Sequence, residues 1–225
     1  MNEYSRLEKI IGNDKLNKLR SISVLLVGIG GVGGSCLEML IRCGINNITI
    51  VDYDIFEESN LNRQVLCTID NIGKYKVDVA KERILSINNI CNITTYNKKV
   101  NTAFLSTLKP CYNFIIDACD DLNAKIELIK YALNNDIKII SCCGTGNKLH
   151  PEMLKITNIW KTEYDPLAKK LRQMLKKEGI NNKIPVISSN EQPIIKSKNY
   201  VGSISTVPNA AGILLASYVI NNTIE

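Results

Sequence analysis

Gly28, Gly30 and Gly33 set out G-x-G-x-x-G, with Gly31 inside it, between an aliphatic run and an apolar helical pattern. The first glycine permits a tight turn, the second lets a phosphate approach the backbone, and the third lets the helix pack close. Free N–H groups and the positive helix end attract an anion there. Asp52 ends the next aliphatic run, where a carboxylate meets a ribose hydroxyl pair, a placement that suits NAD and ATP equally. The residues that follow separate the two. Asp54, Asn60, Arg63 and Gln64 lie in DYDIFEESNLNRQ, and Lys74 and Lys76 open the next helical segment. Attack on the α-phosphate of ATP builds negative charge on its oxygens and on the departing pyrophosphate, and fixed cations stabilise that charge more than the ground state. A nicotinamide dehydrogenase has no need of this cluster. In FIIDACDD, Asp117, Asp120 and Asp121 fall at a further strand end, where open α/β sheets bind ligands. Asp121 suits a helix N-cap. Asp120 is the candidate to hold a magnesium ion jointly with phosphate oxygens. Singly, these residues have plainer readings: a loop cap for Asp52, a surface ion pair for Arg63, a solvated helix end for Lys74 and Lys76. Taken together they point to ATP.

The elements that must position these groups alternate along the chain. A short helix over Ile10 to Leu19 leads to a strand at Ser23 to Val27, a helix over about Val32 to Cys43 and a strand at Asn47 to Val51. Next come a helix at about Lys76 to Ile87, a strand near Asn92 to Asn97, a buried strand at Asn113 to Asp117, a helix at Asn123 to Asn134 and a strand at Lys138 to Cys143. Such alternation predicts a Rossmann-like α/β fold, a mainly parallel sheet with helices on both faces. After Cys143 the texture changes. Leu154 to Asn158 and Lys183 to Ser188 read as strands flanking a basic helix, Pro166 to Glu178, followed by a strand near Val201 to Ser205 and a helix from Asn209. The expectation is one domain over 1–225, a nucleotide core over about 20–145 and an elaborated C-terminal third over about 146–225.

Composition narrows the class. The chain has 225 residues, 45% of them hydrophobic, and a net charge of +6, which permits a polyanionic partner without requiring one. None of its eight cysteines forms C-x-x-C, which argues against a structural zinc clip. The N-terminal residues carry mixed charge without a long apolar stretch, unlike a secretory signal. Ala210 to Ile220 is apolar but falls short of the about 20 residues of a membrane span. A cytoplasmic protein without membrane insertion is expected.

The glycine loop, DYD, SNLNRQ, GKYK and DACDD resemble, in order and approximate spacing, the ATP-dependent carboxylate adenylators that include ubiquitin-activating enzymes and activators of sulfur-carrier proteins. The resemblance implies that Gly30 and Asp52 contact the nucleotide, that Asn60, Arg63 and Lys76 act on the phosphates, and that Asp120 is the metal-linked carboxylate. It also implies a homodimer in which an N-terminal arginine, here Arg6, reaches the γ-phosphate of the partner's site. GTGNKLHP, IWKTEYDPLAKKLRQMLKKEGI, SSNEQP and GSISTVPNAAG resemble one branch, the tRNA threonylcarbamoyladenosine dehydratases. That branch adenylates the threonyl carboxylate of a modified adenosine next to the tRNA anticodon. The carbamoyl group of the same side chain then closes the ring and expels AMP. Such a resemblance implies ATP and magnesium as cofactors and threonylcarbamoyladenosine-bearing tRNA as partner, and admits a sulfur-transfer accessory protein. No cysteine follows Cys143, so a downstream thioester is excluded, and Cys142 and Cys143 read as buried small side chains.

Lys161, Lys169, Lys170, Arg172, Lys176 and Lys177 are the candidate tRNA contacts, with Lys169, Arg172 and Lys176 on one helical face by i, i+3 and i+7 spacing. From composition alone a solvated helix is the ordinary reading of such a run. Tyr164 and Trp160 can stack on a base, although packing is the plainer role for the tryptophan. His150 reads as a loop residue. Two other functions remain open at this point: activation of a ubiquitin-like carrier's C-terminal carboxylate, and a non-catalytic nucleotide sensor.

Overall fold

The computed structural model describes residues 3–195 and 201–225. It opens with α1 (Ser5–Ile11) and α2 (Asn13–Ser21), where the sequence suggested one helix. Gly12, at φ 81°, divides them, because the left-handed region interrupts a helix at little cost to glycine. There follow β1 (Ser23–Val27), α3 (Gly31–Arg42), β2 (Asn47–Val51), α4 (Lys76–Ile87), β3 (Asn92–Tyr96), α5 (Thr102–Leu105), β4 (Phe114–Asp117), α6 (Leu122–Asn134) and β5 (Lys138–Cys142). The last third adds β6 (Leu154–Asn158), α7 (Pro166–Lys177), β7 (Pro185–Ser189) and α8 (Thr206–Ile224).

The strands form one sheet in the order β3-β2-β1-β4-β5-β7-β6, parallel throughout except where β6 runs antiparallel to β7 at the edge. β1 is apolar on both faces because both are covered. Val24 and Leu26 enter a core shared with Leu37 and Leu40 of α3 and Leu215 of α8. Leu25 and Val27 enter a second core with Leu128 and Ile129 of α6 and Leu171 and Leu175 of α7. The sheet order reverses direction between β1 and β4, and that reversal opens a crevice at the carboxyl ends of the strands. Among the described residues, no helix is long and apolar enough to cross a membrane.

The strand expected near Val201 to Ser205 is irregular chain. Asparagines and a loop occupy the backbone groups that a ladder would use. Gly202 N donates to Asn147 Oδ1 (2.6 Å), Gly202 O accepts from Asn147 N (2.8 Å), Ser203 O accepts from Asn62 Nδ2 (2.9 Å) and Ser205 O from Asn209 Nδ2 (2.6 Å). Asn147 sits at φ 58°, a region asparagine tolerates better than most residues, and its Nδ2 also donates to Ile195 O (3.3 Å).

Below the crevice lies a fully buried ion pair that the sequence reading did not identify. Lys125 Nζ lies 2.9 Å from Asp117 Oδ2, 3.2 Å from Ser141 Oγ and 2.8 Å from Cys142 O, and Ser141 Oγ also donates to Asp117 Oδ2. Both charged side chains are 0% exposed. The attraction and hydrogen bonds outweigh the desolvation that would otherwise discharge the lysine, and its pKa is raised. Removing one partner strands the other charge. Lys125→Met is therefore predicted to lower stability by about 3–5 kcal/mol, read from urea unfolding, and Asp117→Asn added to it should recover part of the loss. A Lys125→Met chain as stable as the parent would contradict this.

Candidate active site

The crevice is a cleft of about 1960 Å³ running across the ends of β1, β4 and β5. Its first half is built on the glycine turn. Gly28, at φ 88°, donates its N–H to Val51 O (2.9 Å), and a Cβ there would lie 2.8 Å from the Ala118 carbonyl carbon. A Cβ on Gly33 would fall 1.8 Å from Gly28 O, so only glycine lets α3 begin this close to the turn. Gly30 faces the cleft, and the nearest atom to a Cβ there would be Gln64 Nε2 at 3.8 Å. An anion can thus approach the N-terminus of α3 unobstructed.

Asp52 holds that turn against the end of β2. Its Oδ2 accepts from Ile29 N (2.6 Å) and its Oδ1 from Asp54 N (2.8 Å). Burial pushes the carboxyl above its usual range, with the two N–H groups and nearby Lys76 opposing the shift. A 3-10 turn, Glu58–Asn60, throws Arg63 and Gln64 towards the glycines, since Asn60 O accepts from both their N–H groups (3.1 and 2.9 Å). Asn60 is itself buried, its Oδ1 accepting from Glu57 N (3.2 Å). Arg63 Nη1 donates to Ser59 O (2.6 Å) and Asn62 Oδ1 (2.9 Å), and Asn209 Nδ2 of α8 donates to Arg63 O (3.1 Å). The Gln64 side chain is buried, and its Oε1 has no hydrogen-bond partner among the described residues.

Lys76, 6% exposed, sits over the Phe56 ring with Nζ 3.0 Å from Asp54 Oδ2. Asp120 is exposed in the cleft wall, and no hydrogen bond or ion pair of its side chain is seen among the described residues. Asp121 takes the N-cap of α6, accepting from Asn123 N and Ala124 N, and pairs with Lys99 at 3.0 Å. Gly28, Gly30, Gly31, Asp52, Asp54, Asn60, Arg63, Gln64, Lys76 and Asp120 all line this one cleft. Gly33 lies beneath it as packing. Arg6 stands exposed on α1 and does not line the cleft of its own chain.

The second half of the cleft is formed by the loop after β5. Asp165 binds that loop to α7, accepting from Gly144 N (2.8 Å) on Oδ2 and from Ala168 N (2.9 Å) on Oδ1. Cys142 and Cys143 are 3% and 5% exposed. Burial pushes the Cys142 thiol up to about 12 and the Cys143 thiol well above its usual value, so both stay protonated at neutral pH. Lys148, 3% exposed, lines this half, and Glu191, 6% exposed, holds its loop through Leu149 N and His150 N. Both stand in segments quoted above for their resemblance, but the sequence gives neither a visible partner. Tyr164, at φ 51° and 51% exposed, forms the lip beside Lys170.

Along the basic segment, Lys161, Lys169, Lys170, Lys176 and Lys177 are exposed. Arg172 departs from the expected open face. Its Nη1 turns inward and donates to Thr162 O (3.1 Å) and Thr162 Oγ1, fastening α7 to the turn before it. Trp160 packs on the α7 core with Nε1 donating to Asn182 O (2.9 Å), and His150 pairs on the surface with Glu152 (2.8 Å).

Known proteins share this architecture. Residues 4–222 match the model of the ThiF family. A tRNA threonylcarbamoyladenosine dehydratase of Bacillus subtilis is 33% identical over 100% of this chain and 96% of its own length. The crystal structure of the E. coli tRNA N6-threonylcarbamoyladenosine dehydratase with AMP superposes with a TM-score of 0.94 at 30% identity, covering 99% of this chain and 94% of that one. Its complex with ATP gives 0.91 at 30% identity, covering 99% and 93%. With the family model spanning nearly its whole length, this chain belongs to the ThiF family.

Proposed function

We propose that this chain catalyses the ATP-dependent dehydration of threonylcarbamoyladenosine in tRNA, as a single adenylating unit working in the cytoplasm. The observation that carries the reading is one cleft holding an anion cradle, Arg63 and Lys76 in its first half, with the Cys142 and Cys143 thiols at the root of its second half raised in pKa by burial. A threonyl carboxylate oxygen attacks the α-phosphorus of ATP and pyrophosphate leaves. The carbamoyl group of the same side chain then attacks the activated carbonyl, AMP departs and a proton is lost. The substrate ends one water lighter. A carboxylate is a poor electrophile until joined to AMP, and a tethered second nucleophile makes an enzyme nucleophile unnecessary.

The roles follow from position. Gly30, Gly31 and the start of α3 receive phosphate oxygens, with Asn60 and Gln64 shaping that cradle. Asp52 meets the ribose, and Asp54 holds Lys76. Arg63 and Lys76 stabilise charge building on the α-phosphate and pyrophosphate. Asp120 suits magnesium, because that ion takes one or two carboxylates plus phosphate oxygens, and this exposed carboxylate is otherwise uncommitted. A bound magnesium would neutralise phosphate charge. In a homodimer Arg6 would serve the partner's nucleotide, and a sulfur-transfer protein remains a candidate accessory. Lys161, Lys169, Lys170, Lys176 and Lys177 would meet tRNA phosphates, with Arg172 supporting their helix.

Arg63→Ala is expected to reduce ATP–pyrophosphate exchange driven by threonylcarbamoylated tRNA by about 10²–10³, with an unchanged thermal melt. Normal exchange would remove Arg63 from the chemistry, and exchange driven instead by a carrier protein would overturn the substrate. Reversing the charge at Lys169 and Lys176 should weaken tRNA binding and flatten its salt dependence by roughly one log unit of slope per lost contact. ATP affinity should not change in that variant. Unaltered tRNA affinity at every salt concentration would show that α7 is only a solvated helix.

A further inference from the structure

Lys148 is a charge both buried and poorly satisfied among the described residues. Its side chain is 3% exposed, and among the described residues its ammonium has one partner, Ser189 O at 3.4 Å. An ammonium carries three donors, so one long bond leaves most of its hydrogen-bonding capacity unused in a place largely shut off from bulk water. Among the described residues it forms no ion pair, and the nearby acids are already engaged. Both oxygens of Glu191 accept from Leu149 N (2.9 and 3.1 Å), and Oε2 also accepts from His150 N (2.9 Å). Asp165 is spent on Gly144 N and Ala168 N. These bonds fix the loop on both sides of Lys148 while leaving its charge open to the cleft it lines.

The sheet order says what the charge faces. The glycine turn follows β1, Asp120 follows β4 and the Lys148 loop follows β5, three neighbouring strand ends. An anion held at Lys148 therefore lies along the same row of strand ends as the glycine turn, across the end of β4 and on the side away from β2. Backbone phosphates of an RNA would meet the exposed lysines of α7 first. The group able to reach a buried inner wall is the anionic side chain that must enter the cleft to react.

We propose that the Lys148 ammonium binds the carboxylate of the threonylcarbamoyl side chain through one oxygen and leaves the other oxygen to attack ATP. This rests on the reaction assigned above. After adenylation the anchored oxygen is the acyl carbonyl, and the same ammonium stabilises the negative charge that ring closure builds on it.

The test measures binding of threonylcarbamoylated tRNA and of the same tRNA unmodified, with a non-hydrolysable ATP analogue present. The parent chain should prefer the modified tRNA. Lys148→Met, close in volume but uncharged, should lose that preference, on the order of tenfold, while binding unmodified tRNA and nucleotide as the parent does. Lys148→Gln keeps donors without charge and should fall between the two. A Met or Gln variant with the full preference and normal turnover would overturn the proposal, as would parallel loss of nucleotide binding in both variants, which would make Lys148 structural. A parent chain that neither discriminates nor dehydrates would instead overturn the reaction assignment, and this proposal with it.

Discussion

The two halves of the cleft are held in register by one buried ion pair. Asp117 stands at the end of β4 and Lys125 on the first turn of α6, both wholly enclosed. Asp117 Oδ1 accepts from Cys119 N (3.3 Å), at the root of the loop carrying Asp120, and Lys125 Nζ donates to Cys142 O (2.8 Å), at the root of the loop carrying Lys148. The loop that would serve the metal and the loop that would serve the substrate thus hang from the same pair of charges. A hydrophobic isostere here can match its stability but lacks directional bonds to both loops. For a reaction between two bound molecules, that fixed spacing is what converts proximity into rate.

Glycine close approach does the equivalent work on the nucleotide side. With a Cβ on Gly33 only 1.8 Å from Gly28 O, α3 cannot start where it does unless that residue is glycine. Asp52 then binds the turn to β2, and Asn209 binds the Arg63 segment to α8. The C-terminal segment resembling a specific branch is therefore part of the wall that places the arginine.

Much of this was legible before the structure. β2, α4 and β6 fall where the residue pattern put them, because apolar runs bounded by turn residues specify strands and helices locally. The glycine turn, Asp52, Arg63 and Lys76 converge on one cleft because a parallel sheet delivers successive strand ends to the same edge. What could not be read depended on distant partners. Residues 201–205 have strand-like composition, but their backbone bonds go to Asn147, Asn62 and Asn209. Arg172 looked free on a helical face until Thr162 came beneath it. Lys125 and Lys148 sit among apolar or loop residues that reveal neither their burial nor their company.

The chemistry that unites these parts is activation of a carboxylate whose second nucleophile arrives already attached. It asks the protein for charge stabilisation and placement, and not for a thiolate, which fits thiols held protonated by burial. The most direct test is mass spectrometry of nucleosides from threonylcarbamoylated tRNA incubated with the protein and magnesium ATP. The expected result is a threonylcarbamoyladenosine signal lighter by one water, formed only when ATP is present. An unchanged nucleoside, with folded protein and intact tRNA, would contradict it.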